Sequence, residues 1–247
     1  MIDELSIIIP TLNEERFIPK LLRSIAEQGF KGRLQVIVVD GNSADNTTHV
    51  IKSFVRTIPD LLVVKSKRGV SHQRNIGVEK AKYKYILFLD ADIILPKKFL
   101  SRLLRFVKPR EYFLVYVLHI PLRFNILDYL IISPLVLIAF IQQFYEPVLS
   151  GSFMFTTKKN HIKIGGFKEG VELGEDLDYC QRSYKAGTKY NYLLYPWVLA
   201  SPRRLRKEGR IRLLFMWVKG YFYIKKNGPI YDASKFKYTF GKFDGKE

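Results

Sequence analysis

An α/β fold, with a mostly parallel central sheet flanked by helices and an elaborated C-terminal half, is what this sequence predicts. Three observations carry that expectation. Short apolar runs at Ser6–Pro10, Gln35–Asp40, Leu61–Lys65 and Ile86–Leu89 read as strands, the last with the continuous pattern of a strand buried on both faces. Helical segments separate them, and strand, helix, strand, helix at this rhythm winds a parallel sheet. Two runs end abruptly in acid, at Asp40 and at Asp90-Ala91-Asp92, where the chain leaves the sheet. Ligands of open α/β sheets bind outside such strand ends.

Along the chain, Thr11-Leu12-Asn13-Glu14 follows the first strand with the spacing of a capping box. Phe17, Ile18, Leu21, Leu22 and Ile25 then recur at helical spacing, with Pro19 near the helix start and a stop at Gly29. Asp40 leads into the turn-rich loop Gly41–Thr47 and a helix over Thr48–Val55. Lys67-Arg68-Gly69 makes a basic turn before a helix over Val70–Lys80, which carries Arg74, Asn75 and Gly77.

Beyond Asp92 the rhythm changes. Phe99–Val107 reads as a basic amphipathic helix and Phe113–His119 as a strand. Asn125–Tyr145 is apolar and aromatic but broken by Pro134, and Ser152–Thr157 is a further strand. Gly165-Gly166-Phe167 leads to Gly174-Glu175-Asp176-Leu177-Asp178, which opens a helix with Leu177, Cys180 and Tyr184 on its buried face and Gly187 at its end. Tyr190–Leu194 is a last short strand. A basic cluster from Arg203 to Arg212, an aromatic-rich helix over Leu213–Ile224 and a Lys-rich tail from Asn227 complete the chain. With no internal repeat and no Pro-, Gly- or Ser-rich linker, residues 1–247 read as one domain.

The bulk numbers exclude some classes and leave others open. Hydrophobic residues at 47% of 247 positions exclude general disorder. The single cysteine, Cys180, makes no internal disulfide, and Met1-Ile2-Asp3-Glu4 lacks the form of an export signal, so a cytoplasmic location is expected. No run of about 20 apolar residues exists to span a bilayer. The net charge of +18 fits nucleic acid, anionic lipid or phosphorylated substrates as partners, and fits plain solvation equally.

Polar side chains at three consecutive strand ends carry the chemistry: Thr11 to Glu14, Asp40, and Asp90 with Asp92. Hard carboxylate oxygens suit Mg²⁺ or Mn²⁺, and such an ion usually brings a phosphate with it. Asp40 can accept hydrogen bonds from a base or a ribose, and the fork of Arg74 can donate to either base or phosphates. Taken singly, Asp-x-Asp is also a polar turn, Arg74 also a solvated helix residue, and Glu175 and Asp176 also acids favoured by a helix dipole.

Ile-Ile-Ile-Pro-Thr-Leu-Asn-Glu-Glu, Val-Ile-Val-Val-Asp-Gly-Asn-Ser-Ala-Asp-Asn-Thr, Arg-Asn-Ile-Gly, Phe-Leu-Asp-Ala-Asp, Gly-Gly-Phe and Gly-Glu-Asp-Leu-Asp together resemble the family 2 glycosyltransferases of GT-A, Rossmann-like fold, in order and spacing from Ser6 to about Arg212. The resemblance implies an inverting transferase using a nucleoside-diphosphate sugar, UDP- or GDP-linked, with Mn²⁺ or Mg²⁺. It implies that Pro10, Thr11 and Glu14 line the nucleoside pocket, that Asp40 holds the base, and that Arg74 falls in the nucleotide site. Asp90 lies near the ribose and beside Asp92 on the metal, and Glu175 with Asp176 supplies the base, Asp176 being the usual one. Residues 1–95 become the donor half, 96–226 the acceptor half and 227–247 a basic tail. Ser201-Pro202-Arg203-Arg204 resembles a basic segment found near the diphosphate in part of the family. The expected acceptor is a glycan or a lipid-linked substrate, and Asn125–Tyr145 reads as core and lid packing, as a greasy acceptor groove, or as a surface-lying contact with an anionic membrane.

Rival readings fare less well. A nucleotidyltransferase or a NAD-dependent dehydrogenase needs a Gly-rich loop after the first strand, where this chain has Thr11-Leu12-Asn13-Glu14-Glu15. A nucleic-acid binder would use the +18 charge but leaves Asp40, Asp90, Asp92 and Asp176 unexplained, so nucleic acid is not the expected partner. An inactive scaffold of the same fold would have no need to keep those acids.

Overall fold

The structure is a computed structural model that describes residues 2–107, 111–122, 125–148, 151–232 and 234. Its frame is four parallel strands: β1 (Glu4–Thr11) lies between β2 (Arg33–Asp40) and β4 (Tyr85–Leu89), and β3 (Leu61–Lys65) lies outside β2. β4 and the inner parts of β1 and β2 are almost wholly Ile, Leu, Val and Phe and are buried throughout, as a sheet covered on both faces requires. Their register sets Pro10 opposite Val39 and Thr11 opposite Asp40, so the strand-end side chains start from one edge.

The connections are α1 (Ile18–Ala26), α2 (Thr47–Lys52) and α3 (Val70–Lys80). α3 packs on β1 at a glycine: a Cβ added to Gly77 would sit 2.2 Å from Cγ2 of Ile8.

Past β4 the sheet turns mixed. Next in the chain come β5 (Ile93–Ile94), α4 (Phe99–Phe106), β6 (Phe113–Pro121), α5 (Ile126–Gln142), β7 (Phe153–Thr157), α6 (Lys158–Lys163), α7 (Glu175–Lys185), β8 (Lys189–Ala200), α8 (Arg203–Glu208) and α9 (Arg210–Asn227). β7 pairs antiparallel with β4 and β6, β8 runs parallel to β6, and β5 closes the edge, giving the order β3-β2-β1-β4-β7-β6-β8-β5. Phe88, Phe113, Phe153 and Phe155 fill the core where the two halves of the sheet meet.

Several expectations need correction. Thr11-x-x-Glu14 caps no helix: β1 runs through Thr11, and α1 begins only at Ile18 with no side-chain cap. Pro134 does not break its segment; α5 continues through it, capped by Asn125 Oδ1, which accepts the Leu127 N–H at 2.9 Å. An interior proline costs about 3 kcal/mol, a penalty offset here because Val136, Ala139 and Phe140 pack on the main core. On α7 the buried aromatic residue is Tyr179, stacked on Phe167 at 4.2 Å, whereas Tyr184 is 40% exposed. The final strand is twelve residues long, not five. Of the predicted tail, residues 233 and 235–247 lie outside the described residues. Among the described residues no helix is long and apolar enough to cross a membrane.

Candidate active site

The loops after β1 and β2 interlock. Glu14 N–H donates to Thr47 Oγ1 at 2.7 Å, Asn13 N–H to Ser43 Oγ at 2.9 Å, and Ala44 N–H to Asn13 Oδ1 at 2.8 Å. Asn13 (φ 56°) and Asn42 (φ 68°) take the left-handed conformation that asparagine tolerates better than most residues. Asp40 is buried at the end of β2. Its Oδ1 accepts Ser43 Oγ–H at 2.5 Å and its Oδ2 accepts Ser43 N–H at 3.1 Å. Gln73, which sequence reasoning missed, ties the two strand ends by donating from Nε2 to Thr11 O at 2.8 Å and Val39 O at 2.7 Å.

Arg74 is the hub of the next shell. Its side chain is 1% exposed, and it donates to Asp90 Oδ1 at 2.9 Å, Glu175 Oε1 at 3.0 Å and Gly151 O at 2.8 Å. The fork expected to face a nucleotide is thus turned onto two acids from distant segments. Asn75 does the matching work on the Gly-Gly-Phe loop, accepting Phe167 N–H at 2.9 Å and donating to Phe167 O at 2.8 Å. That clamp sets the Phe167 ring 5.1 Å from the Arg74 guanidinium, a cation–π contact.

Asp176 follows Glu175 in the first turn of α7 and reaches Gly151, whose N–H donates to Asp176 Oδ2 at 2.5 Å. Burial pushes the Asp176 carboxyl above the ordinary aspartate range, against the pull of Arg74. Glu175 is raised to about 7, first by burial and then by the charge of Asp176. Asp178 stands apart: it is buried and neutralised by Lys168 at 3.1 Å and Arg182 at 2.7 Å, a structural pair.

On the donor side, Arg203 grips Glu14 with both nitrogens of its fork, at 2.6 and 2.8 Å, and reaches Asp92 Oδ2 through Nε at 3.0 Å. It also lies 4.5 Å over the Phe17 ring. Burial raises the carboxyls of both Glu14 and Asp92, with Arg203 opposing. His119, with which the expected strand ends and which β6 passes by two residues, is a neutral acceptor. Its Nδ1–H donates to Val117 O at 2.9 Å, so Nε2 accepts Ser152 Oγ–H at 2.8 Å, and burial lowers its pKa to about 4.

Glu14, Asp90, Asp92, Glu175 and Asp176 therefore form one electrostatic group, bridged by Arg74 and Arg203. Asp90 is felt by every other member of it. Five carboxylates against two bridging guanidiniums make an acidic locus in a chain of net charge +18. Buried carboxylates with raised pKa values are the donor set a hard divalent cation would satisfy, so the residues present fit Mn²⁺ or Mg²⁺. Among the described residues no three acidic, His or Cys side chains are gathered into a ready cage, so further ligands would come from a phosphate or water. Gly151 and Arg203 were not singled out for these contacts in the sequence, because only the folded chain brings them to Asp176 and Glu14.

Comparison with known proteins gives a consistent result. The family model described as Glycosyl transferase family 2 matches residues 6–133. A poly(ribitol-phosphate) beta-N-acetylglucosaminyltransferase, TarS, of Staphylococcus aureus is 33% identical over 106 residues, 41% of this chain and 18% of that protein. A GalNAc(5)-diNAcBac-PP-undecaprenol beta-1,3-glucosyltransferase of Campylobacter jejuni is 34% identical over 105 residues, 41% of this chain and 34% of that protein. The aligned segments thus span about a fifth to a third of these relatives. Among solved structures, a mannosyltransferase of Pyrobaculum calidifontis in complex with GDP-Man and Mn²⁺ superposes with a TM-score of 0.72 at 21% identity, over 90% of this chain and 63% of that one. A Staphylococcus aureus TarS structure in complex with UDP-GlcNAc gives a TM-score of 0.64 at 20% identity, over 90% and 66%. At such identities the likeness establishes the fold.

Proposed function

This chain belongs to glycosyl transferase family 2, and on that premise we propose that it is an inverting, metal-dependent glycosyltransferase taking a sugar from a UDP- or GDP-linked donor to an acceptor hydroxyl. The observation that carries the proposal is the convergence on Arg74. One buried guanidinium joins the acid that ends β4, Asp90, to the acid that opens α7, Glu175, with Asp176 alongside. A donor site and a base are thereby held in one cluster by segments far apart in sequence.

In this reading residues 1–95 form the donor half and 96–226 the acceptor half. Pro10, Thr11 and Glu14 line the nucleoside pocket, with Asp40 turned to the base and Asp90 to the ribose. Asp92, with Asp90 beside it, would hold Mn²⁺ or Mg²⁺, which when bound neutralises charge on the leaving diphosphate. Arg74 positions the acids, and Arg203 exchanges part of its grip on Glu14 and Asp92 for the phosphates. The acceptor O–H is deprotonated by the Asp176 carboxylate as its oxygen attacks the anomeric carbon. The sugar–phosphate bond breaks with its electron pair leaving on the diphosphate, and configuration at the carbon inverts. A raised pKa makes Asp176 a stronger base than an exposed aspartate, and each of its oxygens keeps a second lone pair for the incoming proton. Glu175, held by Arg74, orients that turn. The donor complexes of the Pyrobaculum and TarS structures support a nucleotide-sugar donor, the first also supports Mn²⁺, and the undecaprenol-linked substrate named for the Campylobacter relative supports a lipid-linked or glycan acceptor.

The test is thermal stabilisation by UDP, GDP and their sugar conjugates, with and without Mn²⁺. Ligand at a hundredfold its Kd adds about 2.7 kcal/mol, a rise of roughly 5–10 °C in Tm for a chain of this size. Metal-dependent stabilisation by one diphosphate, lost in Asp92→Ala, is expected. Indifference to every nucleotide refutes the reading.

A further inference from the structure

Helices α5 and α9 lie side by side and run the same way. Asp128 pairs with Arg210 at their starts, Ile132 packs near Leu213 and Met216, and Glu146 pairs with Lys225 past the end of α5. Each helix carries a second apolar face that is exposed among the described residues. On α9, Leu213, Met216, Gly220 and Ile224 are buried, while Ile211, Phe215, Val218 and Phe222 recur at helical spacing half a turn away, exposed by 68, 70, 41 and 64%. On α5, Leu127, Leu130, Leu137 and Ile141 stand 48–63% exposed on the side away from Val136, Ala139 and Phe140, which pack on the core.

The one charged side chain of α5, Asp128, is fully buried on Arg210, so the outward face of that helix has no charge at all. Soluble proteins seldom leave so long an apolar surface open to water. The buried stripe of α9 packs with Ile132 of α5 and with Leu173, Leu177 and Ile230 in two small clusters beside the main core, which leaves the opposite face of each helix exposed among the described residues. Beside them stand the exposed bases Arg206, Lys207, Lys219 and Lys226, in a chain of net charge +18. Greasy side chains rimmed by cations are complementary to one surface in particular, an acyl boundary under anionic headgroups.

We infer that the paired α5–α9 face seats this protein on an anionic lipid bilayer, with Phe215 and Phe222 entering the acyl boundary and the flanking bases meeting the headgroups. The helices lie flat: seventeen and eighteen residues at about 1.5 Å each reach roughly 26 Å along the surface. This placement goes beyond the transfer chemistry and does not depend on which sugar is moved.

The experiment is co-sedimentation of the full chain with vesicles of phosphatidylcholine, with and without about 30 mol% phosphatidylglycerol, a charge that makes the surface potential negative without altering the acyl core. Partition onto the anionic vesicles that weakens with salt is expected. Phe215→Glu with Phe222→Glu should lower it at least about tenfold, since each buried aromatic ring contributes about one order of magnitude. Lys219→Glu with Lys226→Glu should lower it on anionic vesicles only, and Lys31→Glu, at a basic site outside both helices, should leave it near the parent value. Thermal melts of each variant confirm that it is folded. Failure of the parent to partition at low salt overturns the inference, as does unchanged partition of the double phenylalanine variant. A dimer by light scattering that the same variant dissolves, with no partition, overturns it in favour of a second copy on this face. Vesicle binding is read without donor or acceptor, so its failure leaves the proposed transfer reaction standing.

Discussion

Replacing Arg74 by methionine keeps most of its volume and removes its charge and all its donors. Three acceptors lose their partner at once: Asp90 Oδ1, Glu175 Oε1 and Gly151 O. Breaking a buried pair by deleting one member costs about 3–5 kcal/mol. The Asp90 side chain is 36% exposed and water screens its share, whereas Glu175, at 13%, is poorly rehydrated, so the lower end of the range, about 3 kcal/mol, is expected. For a chain of this length that is a fall of roughly 6–12 °C in Tm at pH 7.5.

The loss also has a pH signature. Glu175 is raised in the folded parent to about 7, above its unfolded value, so its contribution is favourable at low pH and declines as pH rises toward 7. Without Arg74 the folded value rises further, and the unfavourable charge persists over a wider span. The gap between variant and parent should therefore narrow at pH 5, where Glu175 is protonated in both, and widen by pH 8. Scanning calorimetry at the two pH values measures it. A Tm loss below about 2 °C, or one equal at both pH values, refutes the claim that Arg74 neutralises these acids. Arg74→Lys keeps the charge but not the fork and should fall between the two.

Asp176→Asn should lower the transfer rate by about 10²–10⁴ while leaving diphosphate binding within a factor of a few, and unchanged turnover would remove Asp176 from the role of base. Gly77→Ala improves helix propensity by up to about 1 kcal/mol but drives a methyl into the buried Ile8, so a net loss of about 1–2 kcal/mol in urea unfolding is expected. In the double variant with Ile8→Ala the two losses should be less than additive. Gly166→Ala faces a positive φ of 67° and a Cβ placed 2.9 Å from both Asn75 Oδ1 and His161 Nε2, and should loosen the Phe167 clamp with a Tm drop of several degrees.

What the sequence reveals depends on whether a feature is local. The strand Leu61–Lys65 and the helix Val70–Lys80 lie where the sequence puts them, because the turn Lys67-Arg68-Gly69 separates the two locally. Thr11-x-x-Glu14 fits a local motif yet caps nothing, since Glu14 belongs to Arg203 and Thr11 to the strand. Pro134 gives a correct local signal that packing overrides. Asp90, Asp92, Glu175 and Asp176 stand out as acids at strand and helix ends, and the fold gathers them. Gly151 and Gln73 carry no such mark, and Arg203 stands in a basic segment that does not point to Glu14, because their contacts reach across 25, 62 and 189 positions.

The last of these spans has a bearing on how the molecule is made. As the polypeptide leaves the ribosome, the parallel strands can pair while Asp90 has Arg74 but Glu14 and Asp92 are without their counter-charge, and contacts so distant in sequence form late. Only when α8 has been synthesised does Arg203 arrive to quench them. The corner around Glu14 and Asp92 then matures after the parallel strands, and a nascent chain carries these two acids before their partner exists.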